Sequence, residues 1–345
     1  MKKGCPYGTH RVIEPKGVFP QPAWKIDNTM DIWDNEILIN VRTLNVDSAS
    51  FTQIKKEAAG DVEGIKKIMS KTVQERGKHH NPTTGSGGML IGTVEKIGPA
   101  LAGRQDIKVG DEVATLVSLS LTPLRIDEIK EVHLDKDQVD IQGKAILFES
   151  GIYTVLPTDM PEVLALAVLD VAGAPAQTAK MVKPGQTVVI FGAGGKSGML
   201  CAFEAKKRVG VTGRVIGIGS GQSSCERMAQ LGHVDTIIQC DATDAQTVYH
   251  QVAEATGGEM ADLVINCVNI SNTELASVLA AKDEGTVYFF SMATSFTAAA
   301  LGAEGIGRDV NMIVGNGYTK DHAVIALQLM RECPSIKEMF EKLYL

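Results

Sequence analysis

Gly192, Gly194, Gly195 and Gly198, with Lys196 and Ser197 set among them, carry the most specific chemistry legible in this chain. They close the stretch Thr187-Val-Val-Ile-Phe-Gly-Ala-Gly-Gly-Lys-Ser-Gly198, whose β-branched start reads as a central strand buried on both faces. Met199 to Val209 then reads as a helix. Glycines at such a joint let backbone N–H groups approach a pyrophosphate, which the helix N-terminus attracts through its dipole. The segment therefore predicts dinucleotide binding. A different phosphate ligand, or a turn that binds nothing, is the competing reading, although the spacing of a Gly-x-x-x-x-Gly-Lys-Ser/Thr phosphate loop is not met.

The following strand, Arg214 to Gly219, should face the adenosine ribose, where an acidic side chain usually holds both hydroxyls of NAD. It runs instead into Ser220-Gly-Gln-Ser-Ser-Cys-Glu226, with no carboxylate in the turn itself and Arg227 close behind. Small hydroxyl residues with a nearby guanidinium leave room for a 2′-phosphate, so the expected cofactor is NAD or NADP.

The elements that must position this loop alternate regularly. From Pro161 on, strand-like runs at 188–191, 214–219, 236–239, 263–268, 286–291 and 312–314 alternate with helical runs at 199–209, 224–231, 245–256, 273–280 and 322–331. That pattern predicts an α/β fold, a doubly wound parallel Rossmann sheet over residues 156–330. Residues 1–155 predict a smaller β-rich, GroES-like catalytic domain, with strand-like runs at 36–44, 89–97, 111–119 and 144–156. Within it, residues 51–77 space Ile54, Ala58, Ile65 and Met69 as a helical insertion, and 78–88 reads as a glycine-rich loop. Residues 331–345 predict a C-terminal helix that returns to the first domain.

The chain has 345 residues, enough for two domains with their own cores. Its 34 basic and 41 acidic side chains give a formal charge of −7, with no dense Lys/Arg tract. Nucleic acid and anionic membranes are therefore not expected partners. The N-terminus lacks an apolar signal core and no apolar run is long enough to cross a bilayer, so a cytoplasmic location is expected. Six scattered cysteines suggest neither a disulfide framework nor a structural zinc knot. Cys201 and Cys267 lie in apolar segments and read as packing residues. His10, His79 and His80 have no third ligand at metal-binding spacing and read as loop or packing histidines.

Taken together, these segments resemble the medium-chain dehydrogenase/reductase superfamily over nearly the whole chain. Asn35 to Ser50 looks like its first hairpin leading into the catalytic loop, and Gly92 to Gly98 and Val109 to Val113 look like later strands of the same domain. Asp262 to Val268 and Gly285 to Ser291 resemble its fourth and fifth Rossmann strands. A closer resemblance, to the L-erythro-3,5-diaminohexanoate dehydrogenase family, rests on Met1 to Gly17, Leu116 to Ile126, Leu169 to Lys180 and Phe289 to Phe296. It implies an NAD(P)-dependent amino acid dehydrogenase of lysine fermentation, whose partner is a small diamino acid. The alternative is a zinc-free quinone or enoyl reductase, which shares the Gly192, Gly195, Gly198 spacing.

The resemblance also carries departures. Where zinc alcohol dehydrogenases place their first catalytic Cys stands Asp47, followed by Ser48. Their Gly-His-Glu segment reads Gly87-Gly88-Met89, the third ligand position falls near Asp170, and the four-cysteine lobe is missing. Carboxylates alone do not make the N/S-ligated tetrahedral site that catalytic zinc prefers, so no metal is expected. Oxidising an amine by hydride transfer requires a neutral nitrogen, hence a base. Asp47 is the expected base with Ser48 as relay, although Asp47 serves equally well as an N-cap for a helix starting near Ala49. Asp170, placed in an expected helix over 163–176, is a further catalytic candidate for binding substrate ammonium, and Glu149 is a weaker one. Arg125 is expected to pair with the substrate carboxylate, with a surface ion pair as its competing role. Ser220, Val268, Asn269, Ser291 and Asn316, at or just past strand ends, complete the expected cofactor contacts. Pairing through the edge strand near 312–314 predicts a homodimer or higher homo-oligomer.

Overall fold

The computed structural model describes residues 2–81, 85, 87–291, 293–315 and 317–345, without the side chains of Ser48 and Ala49. It divides into two compact units, Met1–Thr158 and Asp159–Leu345.

The first unit holds a short antiparallel pair, β1 (Val12–Glu14) and β2 (Lys25–Ile26), then β3 (Glu36–Asn45), helices α1 (Ser48–Glu57) and α2 (Val62–Arg76), and strands β4 (Met89–Ile97), β5 (Glu112–Thr115), β6 (Leu124–His133), β7 (Gln138–Phe148) and β8 (Tyr153–Val155). The strands from β3 onward form one antiparallel sheet in the order β6-β7-β3-β4-β5-β8. The helical insertion is two helices. The chain breaks at Ala59 and Gly60, both at positive φ, and Asp61 caps α2 by accepting from Gly64 N at 2.8 Å. Phe51, Ile54, Ile65 and Met69 from the pair are buried in the sheet's core. Strand β6 is absent from the sequence expectations because its solvent face is charged, as an edge strand requires.

Arg11 ties the N-terminal segment to the first residue of β3. Its Nε and Nη2 donate to Glu36 Oε1 and Oε2, both at 2.7 Å, and both side chains are fully buried. Burial alone would raise the Glu36 pKa, but hydrogen bonds from Arg11, His10 and the Trp33 N–H hold it down at about 2. A carboxyl depressed in the fold contributes stability above its unfolded pKa and loses it as pH falls through the folded value. Acid titration followed by circular dichroism is therefore expected to show stability eroding from about pH 4.5 towards pH 2, and less so in Glu36→Gln, whose stability is lower throughout.

The second unit runs α3 (Glu162–Leu169), α4 (Gly173–Met181), β9 (Thr187–Phe191), α5 (Lys196–Val209), β10 (Arg214–Gly219), α6 (Gln222–Leu231), β11 (Thr236–Gln239), α7 (Ala245–Thr256), β12 (Ala261–Asn266), α8 (Glu274–Ala280), β13 (Ala281–Phe289), α9 (Phe296–Ile306), β14 (Val310–Val314), α10 (His322–Glu332) and α11 (Pro334–Tyr344). All pairings are parallel, in the order β11-β10-β9-β12-β13-β14. The order reverses between β9 and β12, the switch point at which such sheets bind ligands. Apolar clusters cover both faces. The expected doubly wound sheet is thus observed.

Two expectations are corrected here. The apolar run 163–176 is two helices, α3 and α4, bent by 54° across Asp170–Ala172. Helix α11 buries Ile336, Met339 and Phe340 while packing on α3, α5 and α10 of its own unit, where a return to the first domain was expected. Among the described residues no single helix is long and apolar enough to cross a membrane.

Candidate active site

The glycine joint is built as its sequence requires. Gly192 leaves β9 at φ +73° and its N–H donates to Ile218 O of β10 at 2.8 Å. Gly195 stands at the N-cap of α5 with no side chain capping it, so the first-turn N–H groups are open to an anion. A Cβ on Gly198 would collide with the Gly192 carbonyl, and one on Gly194 with Ser224, so both glycines are packing requirements. A cavity of about 360 Å³ adjoins the joint, lined by Gly192, Gly195, Ser220, Ser224, Arg227 and Val268 among others. A helix N-terminus with free donors beside a cavity of this lining fits the adenosine diphosphate part of a dinucleotide.

Lys196 turns away from that task. Its Nζ lies 2.8 Å from Asp170 Oδ2 and 5.3 Å over the Tyr344 ring. Ser197 is buried at the start of α5. Val268 and Asn269 follow β12, and the Val268 N–H donates to Asn266 Oδ1 at 2.9 Å. Ser291 donates to Asn269 Oδ1 at 3.3 Å, which joins the ends of β12 and β13. Asn316 lies outside the described residues.

Two contributors, Asn266 and Asp241, were not legible in the sequence, and a third, Arg227, was read there only as a guanidinium near the ribose turn. Asn266 is fully buried and its amide donates to Thr273 Oγ1 and Ser277 Oγ, which fixes the turn after β12. A lone polar residue closing an apolar strand was its only signal. Arg227 holds the glycine loop from α6 by donating to Gly194 O at 2.7 Å. Asp241, after β11, lines the same cavity and carries no motif that would single it out.

In the first unit, Asp47 ends the segment after β3 and caps α1, with Oδ1 accepting from Ser50 N at 2.9 Å. Its Oδ2 is buried and has no hydrogen-bond partner among the described residues. A buried carboxylate oxygen without a partner costs free energy and calls for an explanation. Capping therefore occupies one oxygen and leaves the other for chemistry. Gly88, at φ +88°, backs directly onto Asn45–Asp47, which leaves no room for a side chain there. His79 is fully buried nearby with Nδ1 3.3 Å from Gly87 O; burial pushes its pKa down, opposed by that carbonyl and by the Asp47 charge. The Ser48 side chain lies outside the described residues.

The remaining candidates already have partners. Asp170 sits at the bend after α3, exposed and paired with Lys196, where a place inside one continuous helix was expected. Arg125, on β6, forks onto Asp127 with contacts of 2.9 and 3.2 Å. Glu149 accepts from Asn35 Nδ2 at 2.8 Å, and Asn35 also clamps Gly4. Among the described residues, the group of three side chains able to hold a metal is Glu131, His133 and Asp140 on the β6–β7 hairpin, where His133 Nε2 pairs with Asp140 Oδ2 at 2.8 Å. Asp47 is not part of it.

The pattern of the L-erythro-3,5-diaminohexanoate dehydrogenase N-terminal domain matches residues 10–157. The L-erythro-3,5-diaminohexanoate dehydrogenase of Acetoanaerobium sticklandii is 62% identical over 343 residues, 99% of this chain and 100% of that protein. The protein of the same name from Fusobacterium nucleatum is 61% identical over 345 residues, covering 100% of both. Among solved structures, CurK enoyl reductase superposes with a TM-score of 0.53 at 18% identity, over 93% of this chain and 84% of that one. At that identity the likeness speaks to the fold alone.

Proposed function

Because the chain belongs to the L-erythro-3,5-diaminohexanoate dehydrogenase family, we propose that it oxidises L-erythro-3,5-diaminohexanoate with NAD(P) to 5-amino-3-oxohexanoate and ammonia, in the cytoplasm, as a step of lysine fermentation. The buried Oδ2 of Asp47, without a hydrogen-bond partner among the described residues, is the observation on which the catalytic reading rests.

The bound nicotinamide supplies a hydride acceptor. The Gly192–Gly195 backbone and the α5 N-terminus hold its pyrophosphate, Ser220, Ser224 and Arg227 the adenosine side, and Val268, Asn269, Ser291 and Asn316 the nicotinamide side. Asp47 removes the proton from the C3 ammonium, which frees the nitrogen lone pair that stabilises positive charge as hydride departs. Once that proton has passed on to solvent, the ionised carboxylate offsets the developing charge, takes a proton from the water that adds at C3, and returns it to the nitrogen that leaves as ammonia. Ser48 relays these protons. No metal ion is proposed at Asp47, since among the described residues it is not one of three side chains placed to hold one.

Arg125 is the proposed partner of the substrate carboxylate and must exchange Asp127 for it. Asp170, exchanging Lys196, is the proposed partner of the C5 ammonium, with Glu149 the weaker candidate. Arg125→Ala is expected to raise KM more than it lowers kcat, because that contact is equal in ground and transition states. A pure kcat defect in steady-state assays would contradict the assignment.

The chain is proposed to assemble as a homodimer or higher homo-oligomer through β14, the edge strand of the parallel sheet, where Val314 is 49% exposed. Sedimentation velocity of Val314→Lys should show a shift towards monomer. An unchanged distribution would place the interface elsewhere.

The functional proposal is tested by following nicotinamide absorbance with 3,5-diaminohexanoate, simple amines and quinones, with each cofactor. Turnover of the diamino acid supports it; turnover of quinones alone overturns it.

A further inference from the structure

Cys201 and Cys267 read from sequence as packing residues, yet their positions differ. Cys201 lies on the inner face of α5 and is fully buried, whereas Cys267, just past β12, is half-buried and lines the nucleotide cavity. Their sulfurs are 3.9 Å apart. Both elements shape the cofactor site, because α5 presents its N-terminus to the pyrophosphate and Cys267 precedes Val268. We propose that Cys201 and Cys267 form a redox-active thiol pair, in which a peroxide entering through the empty nucleotide cavity drives a disulfide that disables cofactor binding.

The chemistry balances with the peroxide as oxidant. The Cys267 sulfur attacks one peroxide oxygen, the O–O bond breaks, the thiol proton goes to the departing oxygen, and a sulfenic acid forms with release of water. The Cys201 sulfur then attacks the Cys267 sulfur and expels a second water, so two S–H bonds are exchanged for one S–S bond. The order follows from access. Burial, with Cys267 alongside, pushes the Cys201 thiol up and keeps it protonated, while Cys267 faces the cavity. Tyr288, Thr178 and Glu204 are the other polar groups that face the pair. Bond formation must draw the sulfurs from 3.9 Å to about 2.05 Å, moving α5 against the β12 turn in the segment that cradles the pyrophosphate. A bound dinucleotide fills the same cavity and shields Cys267.

The test treats reduced, cofactor-free enzyme with hydrogen peroxide and follows NADH or NADPH binding by fluorescence, with non-reducing peptide mapping. The expected result is a Cys201–Cys267 cross-link, loss of binding, recovery with dithiothreitol, and marked slowing when dinucleotide is present. In Cys201→Ser or Cys201→Ala the sulfenic acid has no resolving thiol and proceeds to sulfinic acid, so the loss should no longer be reversed. Each variant is compared with its own untreated sample. A wild-type map with no such cross-link, or Cys201 variants that recover as fully as wild type, would overturn the proposal.

Discussion

Asp47→Asn is expected to lower kcat/KM by about a hundredfold to ten-thousandfold while thermal stability and dinucleotide affinity stay near those of the parent. Asparagine caps helices about as well as aspartate, so the bond to Ser50 N survives and α1 keeps its start. What disappears is the proton acceptor at the buried Oδ2. Asp47→Ala removes both roles and should add about 1 kcal/mol of destabilisation from the lost cap. The pair of variants separates capping from catalysis. If Asp47→Asn turns over at the parental rate while Asp47→Ala is merely less stable, the residue is a cap and nothing more.

Gly198→Ala carries the second large effect. The new Cβ would overlap the Gly192 carbonyl and sit 2.7 Å from Ala193 Cα, both backbone atoms of the loop that meets the pyrophosphate. Overpacking against backbone costs about 1–3 kcal/mol, and the loop must shift to accept it. Dinucleotide affinity should fall by at least about tenfold, equivalent to about 1.4 kcal/mol. Gly305→Ala in α9 is the control, because a Cβ there meets nothing within 4 Å. Fluorescence titration of both variants tests this directly. Equal affinities would mean that the β9–α5 joint does not bind the cofactor.

The parallel sheet was readable because each of its strands is a short apolar run set off by helical periodicity, and because Gly192 to Gly198 announce the β9–α5 joint. Strand β6 was not readable: Arg125 to His133 is mostly charged, and its identity as a strand comes from pairing with β7. The bend at Asp170 was hidden for the opposite reason. The start of α4, Gly173 to Ala176, is apolar or small like α3, so the pattern runs through the break. The surface ion pair weighed for Arg125 is made with Asp127, only two residues away, whereas the Lys196 that meets Asp170 is 26 residues on and was out of reach of sequence reading. Asp47 stood out through its neighbours in the resemblance, while the division of its two oxygens between cap and open site is a matter of three-dimensional placement.

Metal content of the active, purified enzyme tests the central claim most directly, because the account gives the proton chemistry to a carboxylate. Elemental analysis alongside turnover should find substoichiometric zinc and full activity after exhaustive chelation. One tightly held zinc per chain, whose removal abolishes turnover and whose return restores it, would contradict the account.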